Sequence, residues 1–85
     1  MSDNKIMQTD KVIKKKLLKK LGININFYRN KLNLTQEDLA FDIGVDRTYI
    51  SAIEQGTKSP SLYCLFTMAQ RFGIDLKDLL DIKIK

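Results

Sequence analysis

The sequence predicts an all-α fold, a compact five-helix domain with a basic helical extension at its N-terminus. Apolar residues recur three and four positions apart in successive segments, which is the spacing of a buried helix face. Capping residues and glycines separate these segments, and no run alternates long enough to stand alone as a strand. The 85 residues of the chain are enough for one domain with a single small core.

The first segment combines an apolar stripe with many lysines. Ile13, Leu17 and Leu21 are spaced by four, which predicts an amphipathic helix that Thr9 or Asp10 would cap. Six lysines occupy the same stretch: Lys11, Lys14, Lys15, Lys16, Lys19 and Lys20.

The apolar spacing continues through Ile25, Tyr28 and Leu32. One long helix and two helices hinged near Gly22 are both compatible with this pattern. A glycine inside a helix costs up to about 1 kcal/mol relative to alanine, which does not decide between them.

Positive charge is concentrated at the front of the chain. Residues 1–31 carry nine Lys or Arg against two acids, a net charge of +7, whereas residues 32–85 carry six against eight, a net charge of −2. The lysines have three interpretations: a solvated helix face, an arm that grips DNA phosphates, or a helix on a membrane surface. The sequence leaves all three open.

A short helix followed by a sharp turn is predicted from Thr35 onward. Thr35 can accept a hydrogen bond from a first-turn amide, as N-cap residues do. Leu39, Ala40 and Ile43 then form one apolar face, and Gly44 can end the helix in a left-handed conformation.

A second short helix is predicted over residues 47–55, capped by Asp46. Ile50 and Ile53 lie three apart and face inward. The opposite face keeps the polar side chains Arg47, Thr48, Ser51 and Gln55. Arginine suits bidentate contact with guanine, and threonine can contact a base edge or a thymine methyl group. Two short helices with this turn between them, over residues 35–55, form a helix-turn-helix signature.

A fourth helix is predicted to begin at Pro60 with Ser59 as its cap and to end at Gly73. Its predicted core stripe is Leu62, Leu65, Phe66, Ala69 and Phe72. Asp75 is predicted to cap a last short helix whose inward residues are Leu76, Leu79 and Leu80.

These elements give the domain boundaries. We expect residues 1–10 to be disordered and residues 11–81 to form the single domain. Residues 82–85 alternate isoleucine with lysine and form a short tail that can pair at a dimer interface.

From about Leu18 to Leu80 the sequence resembles the lambda-repressor-like family of transcriptional regulators, also called the Cro or Xre type. The segments TQEDLA, GVDRTYIS, IEQGTKSPSL and IDLKDLL fit the family pattern in order and spacing. The small size and the DRTYIS run are also similar to the controller proteins of restriction-modification systems.

The resemblance implies specific roles for the polar residues. Gln36 would contact a phosphate and buttress the reading side chains. The implied base readers are Arg47, Thr48 and Ala52, although Ala52 replaces a polar residue and can only contact a methyl group. The implied DNA-backbone contacts are Gln36, Tyr49, Ser51, Gln55 and Lys58.

The resemblance also implies a structural ion pair between Arg29 and Glu54. The arginine would pack beneath the recognition helix and hold its angle. Removing one partner would leave a buried charge uncompensated, at a cost of roughly 3 to 5 kcal/mol.

We therefore expect a sequence-specific regulator that binds a near-palindromic double-stranded DNA operator as a homodimer, with the recognition helix in the major groove. Related proteins commonly dimerise near the last helix. The alternative is an antitoxin-type protein that chiefly sequesters a toxin partner and autoregulates its operon. An exposed apolar patch on the fourth or fifth helix, beyond what a homodimer covers, would favour that alternative.

The residues required for most catalysis are missing from the sequence. It has no His, one Cys and no glycine-rich phosphate loop, so nucleophilic, zinc and nucleotide-binding sites lack their parts. We therefore expect no enzyme activity and no cofactor. Without an apolar run of about 18 residues or a secretory signal, we expect no membrane contact through a spanning helix and a cytoplasmic location. Cys64 should be a partly buried, inert thiol.

Overall fold

The computed structural model describes the backbone of residues 2–82 and the side chains of residues 10–82. In this range the chain forms five helices and no strand, which confirms the all-α prediction. They are α1 (Ser2–Lys31), α2 (Gln36–Ile43), α3 (Arg47–Gln55), α4 (Leu62–Phe72) and α5 (Leu76–Leu79). Residues 83–85 of the predicted tail lie outside the described residues.

Helix α1 is one unbroken helix, so of the two possibilities left open by the sequence the single long helix is the observed one. It begins at Ser2, within the segment 1–10 for which the sequence predicted disorder, and it runs through both predicted caps, Thr9 and Asp10. Threonine and aspartate lower helix propensity only modestly, so neither has to end a helix. Gly22 is not a hinge: it lies inside the helix and is buried.

The turn between α2 and α3 has the predicted geometry. The Thr35 hydroxyl accepts a hydrogen bond from the Asp38 amide at 2.9 Å, and the Asp38 carboxylate accepts one from the Thr35 amide at 3.0 Å. These reciprocal bonds form a capping box, which lowers the pKa of Asp38. Gly44 ends α2 with a φ of 77°, and the next amide, that of Val45, donates to the Ala40 carbonyl at 2.9 Å. Asp46 occupies the N-cap position of α3 without a side-chain cap bond.

The predicted start of α4 was wrong. Ser61, not Ser59, is the N-cap, and its hydroxyl accepts a hydrogen bond from the Cys64 amide at 3.0 Å. Pro60 therefore precedes the helix instead of occupying its first position. The segment Ser-Pro-Ser contains two possible caps, and the sequence alone does not distinguish them. The end of α4 at Gly73 is as predicted.

Two members of the predicted α4 stripe are also corrected. Leu62 and Phe66 are 68% and 47% exposed, whereas Cys64 and Met68 are buried in their place. The line through the remaining stripe residues is correct: Leu65, Ala69 and Phe72 are buried. The core lies on the side of that line that carries Cys64 and Met68, because this side of α4 packs against the other helices.

Four further apolar residues of the predicted stripes are exposed: Ile13, Leu17, Leu32 and Leu80, at 45%, 40%, 43% and 41%. Of Ile13, Leu17 and Leu21 only Leu21 is buried, since no other element of the described chain covers the front of α1, where residues 10–17 are exposed. The core joins all five helices through these buried residues: Leu21, Ile25, Leu39, Ala40, Ile50, Ile53, Cys64, Leu65, Met68, Ala69, Phe72 and Leu79.

Cys64 is a buried free thiol, and burial raises its pKa. A raised pKa disfavours the thiolate, which is the reactive form, and the inert state of Cys64 stays a prediction. Among the helices that the structure describes, none combines the length and the apolar character needed to cross a membrane.

Candidate nucleic-acid interface

Helix α3 presents a polar face to solvent and an apolar face to the core. Arg47, Thr48 and Gln55 are exposed, whereas Ile50 and Ile53 are 0% and 1% exposed. The sequence predicted this division, and the helix bounds match as well. The first turn of α3 contains no acidic residue, but the N-cap residue Asp46 places a carboxylate at the positive end of its dipole.

The other implied contact residues on α3 are less free. Ser51 and Ala52 are half-buried, and the Gln55 amide donates to the Ser51 hydroxyl at 3.1 Å. Tyr49 is half-buried and packs against the core, so only part of its surface is available to a phosphate. Lys58 is exposed, and its ammonium group lies 5.8 Å from the centre of the Tyr49 ring. The loop lysine and the tyrosine thus form one cation–π contact at the edge of α3.

Beneath α3 lies the predicted ion pair between Arg29 and Glu54. The Arg29 Nε donates to one carboxylate oxygen at 2.6 Å, and its second terminal nitrogen donates to the other at 3.0 Å. The two side chains are only 10% and 5% exposed. Such a two-point contact fixes the orientation of both groups as well as their distance.

Two side-chain amides also donate hydrogen bonds to the Glu54 carboxylate. Asn26 on α1 donates to it at 3.0 Å, and Gln36 at the start of α2 donates to it at 3.1 Å. The Gln36 amide is therefore engaged with the α3 glutamate, which supports α3 from below, and its phosphate contact stays a prediction. Asn26 was not identified from the sequence. Its signal is its position one helical turn before Arg29, on the same face of α1.

This network also fixes the connection between α1 and α2. The remaining terminal nitrogen of Arg29 donates to the Leu34 carbonyl at 2.7 Å. Asn33, in the same connection, has a positive φ of 57°, a conformation that asparagine tolerates better than most residues. Arg29 thus links α1, the following loop and α3, and no buried side-chain polar atom of the described residues lacks a hydrogen-bond partner.

The electrostatics of Glu54 follow from opposing effects. Burial alone would raise its pKa, but the hydrogen bonds from Arg29, Asn26 and Gln36 outweigh burial, and its pKa is lowered. Glu54 is therefore ionised at neutral pH and neutralises the buried guanidinium group.

Glycines let α1 approach α3 closely. A Cβ atom at Gly22 would lie 2.4 Å from the backbone oxygen of Glu54, and one at Gly56 would lie 2.8 Å from the Cα of Lys19. Both distances are shorter than real Cβ contacts allow. The middle of α1 and the C-terminal end of α3 therefore cross backbone to backbone.

Comparison with known proteins agrees with this geometry. A helix-turn-helix family model matches residues 25–79, well over half of the chain. The chain belongs to the helix-turn-helix family. The resemblance to Cro/Xre-type, lambda-repressor-like regulators is thereby confirmed, and the protein is a helix-turn-helix regulator of the DNA-binding, transcription-regulating kind.

Individual relatives include proteins of both unknown and named roles. An uncharacterized HTH-type transcriptional regulator of Methanocaldococcus jannaschii is 47% identical over 55 residues, which are 65% of this chain and 83% of that protein. The control protein C.BamHI of Bacillus amyloliquefaciens is 46% identical over 52 residues, 61% of this chain and 64% of the relative. The crystal structure of the restriction-modification controller protein C.AhdI from Aeromonas hydrophila has a TM-score of 0.70 at 34% identity, covering 73% of this chain and 94% of that one.

Proposed function

We propose that this helix-turn-helix regulator recognises a specific double-stranded DNA sequence by placing α3 in the major groove. The observation that carries the proposal is the exposure of Arg47 and Thr48 at the start of a helix whose opposite face is held by buried contacts. A rigid helix with a free arginine and threonine at its N-terminal end has the chemistry for base readout.

In this proposal the side chains around α3 divide into readers and backbone contacts. Arg47 and Thr48 read base edges, and Ala52 contacts at most a thymine methyl group. Lys58 and Gln55, both exposed, contact phosphates on either side of the reading positions. The remaining proposed backbone contacts, each partly engaged within the protein, are Gln36, Tyr49 and Ser51.

We further propose that the regulator acts as a homodimer through the face shared by α1 and α5. Asn24 joins the two elements by donating to the carbonyls of Leu79 and Asp81, at 3.1 and 3.2 Å. Beside this junction Ile23 and Ile82 line one shallow groove. To match half-sites one helical turn apart in a near-palindromic operator, the twofold axis of this dimer must place the two α3 helices about 34 to 36 Å apart.

Selection of bound sequences from a random duplex library tests the proposal directly. We expect enrichment of a near-palindromic site whose half-sites are about 10 to 10.5 base pairs apart, centre to centre. Failure to enrich any sequence over the starting library would contradict sequence-specific recognition. Enrichment of a single half-site would instead contradict the dimer.

The exposed apolar side chains of α4 favour a second candidate, an antitoxin-type role in which a toxin protein is the chief partner. Leu62, Tyr63 and Phe66 are 68%, 76% and 47% exposed, and apolar residues grouped in this way mark many protein-binding surfaces. Sedimentation of Phe66→Asp and of Ile23→Asp separates the possibilities, because Ile23 lines the groove of the proposed dimer face. If Ile23→Asp alone yields monomers, α4 is available to another protein. If Phe66→Asp yields monomers, α4 is itself the dimer face.

A further inference from the structure

We propose that three lysines on one face of α1, Lys11, Lys15 and Lys19, bind DNA phosphates beside the contacts of α3 and extend the footprint along the duplex. These three residues are called the lysine file below. The proposal rests on the proposed function, because it adds backbone contacts to the same complex. It concerns a segment that lies before residues 25–79, the part matched by the family model.

The lysine file continues the face of α1 that meets α3. Its members are four residues apart and therefore lie within about 80° of one another around the helix. Gly22 and Asn26 follow on the same face at intervals of three and four residues. A Cβ at Gly22 would lie 2.4 Å from a backbone oxygen of α3, and Asn26 donates to the α3 glutamate at 3.0 Å. The file thus projects on the side of α1 that carries α3.

The C-terminal end of α3 marks where the lysine file becomes uncovered. Gly56, the C-cap of α3, lies against Lys19, since a Cβ there would come 2.8 Å from the Cα of that lysine. Lys58, the loop residue proposed to contact DNA, follows two positions later and is exposed. Lys15 and Lys11 then continue away from the loop in steps of about 6 Å along the helix axis. The lysine file therefore begins beside the α3–α4 loop, in which the Lys58 ammonium group lies over the Tyr49 ring of α3.

Solvent surrounds the front of α1 in the described structure, where residues 10–17 are all exposed. Like charges four residues apart destabilise a helix, so the lysine file repels itself in the absence of counter-charges. A polyanion with regularly spaced charges relieves this repulsion along the whole file. The sugar-phosphate backbone of a duplex bound at α3 is such a polyanion, and it is already adjacent.

A membrane surface fits the same segment less well. An interfacial helix needs one continuous apolar face opposite its basic face. The exposed residues Ile13 and Leu17 lie about 40° apart around the helix and form a strip between Lys20 and Lys14, whereas Val12 is separated from that strip by Lys16 and Lys20. The exposed apolar surface at the front of α1 is thus narrow and bordered by charge.

The experiment compares two triple variants of the full chain. The test variant changes the lysine file to glutamine (K11Q, K15Q, K19Q). The control removes three charges from the other side of the same helix (K16Q, K20Q, K31Q), so both variants have the same net charge. Each is titrated over a range of salt concentrations with a duplex limited to the sequence enriched in the selection, and with that duplex lengthened by about 10 base pairs at each end. Circular dichroism confirms that both variants remain helical.

We expect the test variant to flatten the slope of log affinity against log salt by up to about 2.7 per bound protomer, about 0.9 for each lost phosphate contact. It should also lose any gain in affinity that the wild type obtains from the longer duplex. The control should retain most of both. Equal changes in the two variants, or an unchanged slope in the test variant, would overturn the proposal.

Two further outcomes are distinguishable. If the wild-type protein prefers no duplex over another, the proposed function fails; if it keeps its preference while the test variant keeps the wild-type slope, only the role of the lysine file fails. Loss of binding to anionic vesicles in the test variant, with DNA binding unchanged, would assign the file to a membrane surface and overturn the proposal.

Discussion

Replacing Glu54 with glutamine would remove the negative charge that neutralises Arg29 beneath the recognition helix. The arginine side chain is only 10% exposed, so solvent cannot take over that role. An uncompensated buried charge of this kind costs about 3 to 5 kcal/mol. A chain of 85 residues has a free energy of unfolding of roughly 4 to 13 kcal/mol, at about 0.05 to 0.15 kcal/mol per residue. We therefore expect Glu54→Gln to remove a large part of the stability.

Urea denaturation followed by circular dichroism measures this loss. A double-mutant cycle with Arg29→Met separates the pair from its surroundings, because removing both charges leaves no lone buried ion. We expect the double variant to be more stable than the sum of the two single losses predicts, by about 0.5 to 3 kcal/mol.

An exposed ion pair provides the matched control. Arg71 Nε and the Asp42 carboxylate are 2.5 Å apart, but their side chains are 40% and 30% exposed. Asp42→Asn should therefore cost less than about 1 kcal/mol. If Glu54→Gln costs no more than this control at an unchanged m-value, or if the losses in the cycle simply add, the assigned role of the buried pair is wrong.

Three further predictions concern binding, packing and pH. Arg47→Ala should cost about 1 to 3 kcal/mol of binding free energy on the selected duplex and relax the preference at one base pair. Lys58→Ala should weaken binding to the selected duplex and to random duplexes alike, as titrations of both would show. An equal loss of affinity on both duplexes for Arg47→Ala would refute base reading. Gly22→Ala should lower the free energy of unfolding by about 1 to 3 kcal/mol in urea denaturation, although alanine is the better helix former, because the added Cβ would meet the backbone of α3. As the control, Gly73→Ala has open space around its Cβ but a φ of 72°, and it should cost about 1 to 2 kcal/mol. The control should leave the amide-exchange protection at the crossing of α1 and α3 unchanged. Because the pKa of folded Glu54 lies below its ordinary value of 4.5, its contribution is fully present above that pH and is lost as the pH falls through the lowered pKa. The stability difference between the wild type and Glu54→Gln should therefore shrink as the pH falls from about 7 to well below 4.5, and a difference that stays constant over that whole range in urea denaturation would contradict this.

The sequence predicted α2 and α3 well because their limits depend on local chemistry. Thr35 and Gly44 act through bonds and dihedral angles within a few residues of themselves, and the bounds 47–55 of α3 follow from the same kind of signal. Local chemistry did not fix the start of α4, because Ser59 and Ser61 in the Ser-Pro-Ser segment can both act as an N-cap.

Tertiary packing decided the features that the sequence left open or predicted wrongly. Leu65 and its neighbours one and two turns later define a line on α4, but periodicity does not say on which flank the core lies, so Phe66 was wrongly placed inside. Likewise, nothing local indicates that Asn26 and Gln36 converge on one carboxylate from different helices. The ion pair between Arg29 and Glu54 was predicted only from the family resemblance.

The continuity of α1 has a consequence for how the protein tolerates change. The lysine file and Arg29 lie on the same continuous helix α1. The number of residues between them therefore sets the direction in which the file points relative to α3. Inserting one residue after Lys20 would rotate the lysine file by about 100° around the axis of α1, away from the side of α3. Inserting seven residues would rotate it by only about 20°. Length variation in this region should therefore be tolerated in near-heptad steps and poorly in single ones.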